Sequence, residues 1–202
     1  MRKGDRLKII YLIVWIVLIG YTFLLAPGVG IKEYDLVKDI LMFNEVDPLI
    51  ISIFYLFGVW PFIFAGLLFK KKSANINAWP FVIGSFIFGV FALLPYYFLN
   101  GSGDDSKHTK EWLKSYKESK LVYLILIIIT TWLLLYGLMF GDPNGFITMF
   151  NYSWFVHIMG IDFILLVILS IITMYKQGAT DYKLGFIPVL GPLIYLLREA
   201  NS

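Results

Sequence analysis

The sequence predicts an all-α fold, a polytopic transmembrane helical bundle of about six spans. Three observations carry that prediction. Of the 202 residues, 59% are hydrophobic and 15% charged, whereas soluble domains run nearer about half and about a quarter. The apolar residues are gathered into blocks of roughly 20, the length that crosses a bilayer core as a helix. Basic residues stand at the ends of those blocks, where lipid head groups lie.

Along the chain, 1–202 reads as one integral membrane domain, because the two longest polar stretches are too short to bury a core of their own. The first span is expected over Leu7–Ala26, ended by Pro27-Gly28. A basic start (Arg2, Lys3, Arg6, Lys8) also suits a signal peptide. The apolar run is long for one, and Ala26-Pro27 spoils a cleavage site, so a retained helix is expected. Ile31–Val46 mixes apolar and charged residues, with Leu36, Val37, Ile40 and Leu41 on one helical side. It is expected as a short helix at the membrane surface, with a solvated loop as the alternative.

The second span is expected over Pro48–Phe69, kinked by the internal Pro61 and closed by Lys70, Lys71 and Lys72. The third, Trp79–Leu99, opens on an interface tryptophan and a first-turn proline and holds Pro95 near its far end. A polar link follows, in which Lys107–Lys120 suits a helix. The fourth span is expected over Leu121–Phe140, before the turn signal Gly141-Asp142-Pro143-Asn144-Gly145. Phe146–Tyr175 is too long for one straight span and divides into a lead-in, Phe146–Tyr152, and a fifth span, Ser153–Tyr175. Leu184–Leu197 is short and broken by Pro188, Gly191 and Pro192, so it is a sixth span or a re-entrant segment. The 17 basic residues divide almost evenly between the two sides, so charge does not set the orientation.

The formal net charge of +3 is too small to point to nucleic acid, and the expected partners are the lipid bilayer and a hydrophobic small molecule. With no cysteine, disulfides, thiolate metal sites, cysteine nucleophiles and cysteine lipidation are excluded. No phosphate-cradling glycine loop, nucleophile elbow or paired carboxylate is present, and no metal or cofactor is expected.

Ionisable side chains inside hydrocarbon are costly and often mark function. Asp162 is the acid well inside a predicted span, and His157 lies five residues before it. That offset is about 500°, or about 140° net, so the two do not stack as an i, i+4 pair but can reach one cavity from opposite edges of a face. Asp162 reads as a proton carrier, an ion or substrate ligand or a general base. The structural alternative is an acceptor for a neighbouring helix. His157 reads as an acid/base group or as an interface histidine bonded to a carbonyl. The candidate catalytic residues are therefore His157 and Asp162. The candidate substrate-binding residues are Asn151, Tyr96 and Tyr97, the tyrosines following the kink at Pro95 or forming an aromatic belt. Thr130 and Thr131 suit interhelical hydrogen bonds, and Gly84 and Gly89, although not in GxxxG spacing, suit close helix packing.

Three stretches carry a resemblance. They are Trp79-Pro80-Phe81 leading to Phe91-Ala92-Leu93-Leu94-Pro95-Tyr96-Tyr97, then Val156-His157 with Met159 and Ile161-Asp162-Phe163, then Ile187–Leu197 with its Gly191-Pro192. Together they resemble an uncharacterised group of small polytopic membrane proteins of bacteria, cyanobacteria and plant plastids. His157, Asp162, Gly191 and Pro192 are also similar to the outline of the neoxanthin-synthase family, in which a His and an Asp open a helix and a glycine-proline helix closes the chain. The first resemblance brings no activity with it, and the expected location is the plasma membrane of a bacterial cell, as a multi-pass protein. The second implies chemistry on an isoprenoid.

Three functional expectations follow. The leading one is a lipid- or partner-binding or structural membrane protein. A second is a membrane enzyme acting on a lipidic, isoprenoid-like substrate, with Asp162 and His157 as acid and base. A third is a small proton- or ion-coupled carrier using Asp162.

Overall fold

Proline and glycine set most of the helix boundaries of this chain. The computed structural model describes residues 3–28, 34–42, 44, 46–68, 76–100 and 119–200. The expected helix over Lys107–Lys120 and the Lys70–Lys72 cluster lie largely or wholly outside the described residues. Within them the protein is all-helical, and five helices are long and apolar enough to cross a membrane.

Helix α1 (Lys3–Leu24) packs lengthwise along α5 (Trp79–Leu99). Only a narrow stripe of α1 is buried, through Tyr11, Leu18 and Thr22, while Ile9, Ile13, Ile16 and Val17 face outward. The stripe repeats at helical spacing. Helix α2 (Tyr34–Leu41) seats Ile40 in a small cluster with Ile50, Val156 and Met159, so the segment read as surface helix or loop is helical over Tyr34–Leu41.

The second apolar block, Pro48–Leu68, is one of the five long helices and is interrupted into two halves. Helix α3 (Pro48–Phe57) starts at Asp47, whose carboxylate accepts the Leu49 N–H at 2.8 Å, and breaks at Gly58-Val59. Helix α4 (Trp60–Leu68) follows. Pro61 explains the break, because it lacks the N–H that would reach the Phe57 carbonyl and its ring crowds that oxygen. Apart from Phe62, every residue of α4 is buried, as expected of a helix apolar on all sides.

Helix α6 (Lys120–Phe140) buries Tyr123, Leu126, Thr130, Leu133 and Gly137, a three-four alternation that packs against α3 and the C-terminal segment. Small residues let the backbones close up at one end of this seam. A Cβ on Gly137 would lie 2.7 Å from the Ser52 hydroxyl. The lead-in helix α7 (Pro143–Tyr152) and the long α8 (Trp154–Lys176) are capped by Asp142 and Ser153. Asp47 also accepts the Asp142 N–H at 2.7 Å, tying the start of α3 to the start of α7.

The segment expected as a sixth span folds as a 3-10 turn, Tyr182–Phe186, and the ten-residue helix α9 (Leu190–Glu199). The joint is tight. Val189 sits at φ 62° and fully buried, and a Cβ on Gly191 would fall 1.7 Å from the Leu184 carbonyl oxygen. Only glycine fits there.

Candidate functional site

Helix α5 is not continuous. At Gly89 the backbone turns to φ 48°, ψ −126°, a conformation open to glycine and strained for other residues. The break leaves the Val90 N–H without a helical partner. Asp162, on α8, supplies one: its Oδ1 accepts the Val90 N–H at 2.7 Å. The carboxylate sits so close to the broken turn that a Cβ on Gly89 would be 2.0 Å from Oδ2. Asp162 is 6% exposed. It therefore caps the second half of α5 across 72 residues of sequence, much as an N-cap residue does locally.

A second backbone group of α5 is satisfied in the same way. Pro95 cannot donate to the Phe91 carbonyl, and the Trp15 indole N–H takes that oxygen at 3.0 Å. At the end of α1, the Trp154 indole N–H donates to the Thr22 carbonyl at 2.8 Å. A buried backbone group without a partner is costly, and each of these side chains removes such a cost while locking two helices together.

Between α1, α3, α5 and α8 these contacts enclose a cavity of about 600 Å³. Its walls are aromatic and aliphatic, with Trp15, Phe54, Phe57, Phe91, Trp154 and Phe155 prominent, and Asp162 is the one ionisable residue among the described residues that line it. Phe23, Ile87 and Phe88 also line it, and they are 64%, 81% and 61% exposed on the outside of the bundle. Among the described residues the cavity thus opens to the outside of the bundle between the end of α1 and the middle of α5.

His157 occupies a different place. It is buried on the α7-facing side of α8, with its ring 4.3 Å from that of Phe150. Nδ1 lies 2.7 Å from the Phe150 carbonyl oxygen and Nε2 lies 2.7 Å from the Tyr21 hydroxyl. A carbonyl only accepts, so Nδ1 carries a proton and donates it, and Nε2 is paired with the Tyr21 hydroxyl. Both nitrogens are engaged in holding α1, α7 and α8 together, and His157 does not line the cavity. Asn151 is exposed on α7 and does not line this cavity either.

Tyr96 and Tyr97 lie at the far end of α5, in a separate polar pocket of about 80 Å³ with Asn100, Thr173, Lys176 and Gln177. Thr173 donates to the Leu169 carbonyl, so Tyr97 donates to Thr173. Asn100 donates to the Tyr96 hydroxyl, Lys176 to the Tyr11 hydroxyl and Gln177 to the Leu67 carbonyl. The structure therefore separates the sequence candidates into three places: Asp162 in the large cavity, His157 in a helix clasp, and the tyrosines in a small polar pocket. Among the described residues no group of three His, Asp or Glu side chains comes together.

Most of the cavity wall escapes a sequence reading, because an aromatic residue facing a cavity and one facing lipid are the same letter at the same spacing. Compared with protein-family models, with curated proteins and with solved structures, the chain matches none of them.

Proposed function

We propose that this is a multi-pass membrane protein that takes a hydrophobic small molecule from the bilayer into the cavity between α1, α3, α5 and α8. The sideways mouth at Phe23, Ile87 and Phe88 carries this reading. A molecule dissolved in lipid would enter through it without crossing water. The cavity volume falls in the range of about 300–1,000 Å³ that small-molecule sites occupy. In this reading the five long helices cross the plasma membrane. Helix α9 would cover only about 15 Å of the roughly 30 Å core, which favours a re-entrant tail over a sixth span.

The enzyme reading draws no support from the geometry, since His157 and Asp162 do not share a cavity. The carrier reading has one specific observation in its favour: an acid stands at an interrupted helix, as in many transporters.

The test is native mass spectrometry of the protein released from detergent, with Ala92→Trp as the cavity-filling variant. Wild type is expected to retain one apolar molecule and the variant to lose it while unfolding at a similar temperature. Equal retention by both would sink the proposal. Proton uptake coupled to solute movement in proteoliposomes would instead establish the carrier reading.

A further inference from the structure

We propose that the ligand of this cavity is an organic cation, an apolar body bearing one ammonium group. The inference rests on the cavity-binding reading above and adds the chemical class. It follows from an inventory of the polar groups on the wall. The Trp15 and Trp154 indole N–H groups are committed to the Phe91 and Thr22 carbonyls, and the Thr22 hydroxyl donates to the Leu18 carbonyl at 2.7 Å. The donors of the wall are thus already used within the protein. The acceptor capacity is not. An ionised carboxylate offers about four lone-pair sites, and the Asp162 carboxylate uses one of them, on the Val90 N–H.

A carboxylate or phosphate head would meet only the Asp162 carboxyl, which becomes a like charge when it ionises. A cation meets the opposite situation. Among the described residues no cationic side chain pairs with Asp162. Lys176, on the same helix, stands 14 residues away, about 21 Å along the axis, in the other pocket. In a low-dielectric setting an acid without a counter-charge favours a ligand that brings one. The tryptophan and phenylalanine rings around it present carbon faces whose negative quadrupole attracts an ammonium.

The experiment compares three probes with one body: pyrenemethylammonium, pyrenemethanol and pyrenecarboxylate. Saturable binding to the full chain in zwitterionic nanodiscs is read by energy transfer from the protein's tryptophans. Pyrenemethylammonium is expected to bind at least about tenfold more tightly than pyrenemethanol, and pyrenecarboxylate most weakly. Asp162→Asn keeps an acceptor for the Val90 N–H, so the fold is retained. It is expected to erase the advantage of the cation while leaving pyrenemethanol binding in place. If the alcohol or the acid binds wild type as tightly as the ammonium, the cation assignment is overturned and the cavity reading stands. If no probe binds saturably, both fall.

Discussion

The Asp162 carboxylate lies 2.7 Å from the backbone nitrogen of Val90 and directly against Gly89, where α5 breaks. The break and the acid explain one another. A helix interrupted in an apolar bundle exposes an N–H that no water can satisfy, and a buried carboxylate needs a donor. Each group supplies what the other lacks.

Gly89→Ala is therefore expected to destabilise the protein by about 2 kcal/mol or more, since it combines an unfavourable φ with a collision. The measurement is thermal or denaturant unfolding in detergent. Asp162→Leu should cost about 1–3 kcal/mol by orphaning the Val90 N–H, whereas Asp162→Asn should cost less. A double-mutant cycle between Gly89→Ala and Asp162→Leu should show clear non-additivity. Additive effects would mean that the two residues do not act on one another.

His157 should behave as a clasp. Tyr21→Phe removes one hydrogen bond to its ring and is expected to cost about 1 kcal/mol. His157→Ala also loses the Phe150 contact and should cost about 2–3 kcal/mol. Neither should change the affinity of a molecule bound in the cavity. A His157 variant that folds like wild type but loses binding would assign the histidine to the site instead.

The Trp15 N–H and Pro95 should be energetically coupled through the Phe91 carbonyl. Trp15→Phe leaves the Phe91 carbonyl unpaired and should cost about 1–2 kcal/mol. In a Pro95→Ala background the new N–H at position 95 can take that oxygen, so the same substitution should cost less. Equal costs in both backgrounds, measured by unfolding, would show that the indole bond does not compensate for the proline.

Much of the architecture was legible in the letters. The apolar blocks and the prolines that bound them place the five long helices, with α3 and α4 separated just ahead of Pro61. The division of Phe146–Tyr175 into α7 and α8 follows the same logic, with Ser153 as the joint. The angular offset of His157 and Asp162 on one helix was also readable. It does not by itself decide whether two groups meet in a cavity, and here they do not.

The break at Gly89 was not readable. Glycine is tolerated inside a membrane helix and is equally at home in an unwound turn, so the letter is silent until the partner of the freed N–H is known. The pairings of Trp15 with Phe91 and of Tyr21 with His157 span 76 and 136 residues and have no local signature. The tail was ambiguous for a similar reason. Pro188, Gly191 and Pro192 signal irregularity, but only the packing of Leu184 against Gly191 sets the turn.

By itself, then, the sequence determined the all-helical class, the course of the long apolar helices and the rarity of deep charge. Each of those depends on how single residues partition between apolar and polar surroundings, and runs of such residues are visible in one dimension. The tertiary structure alone decided that an acid would cap a broken helix, that a histidine would serve as a clasp, and that aromatic rings from four helices would enclose a cavity around Asp162. Those outcomes depend on which groups meet, and hydrogen-bond pairing between distant segments leaves no pattern in either segment taken alone.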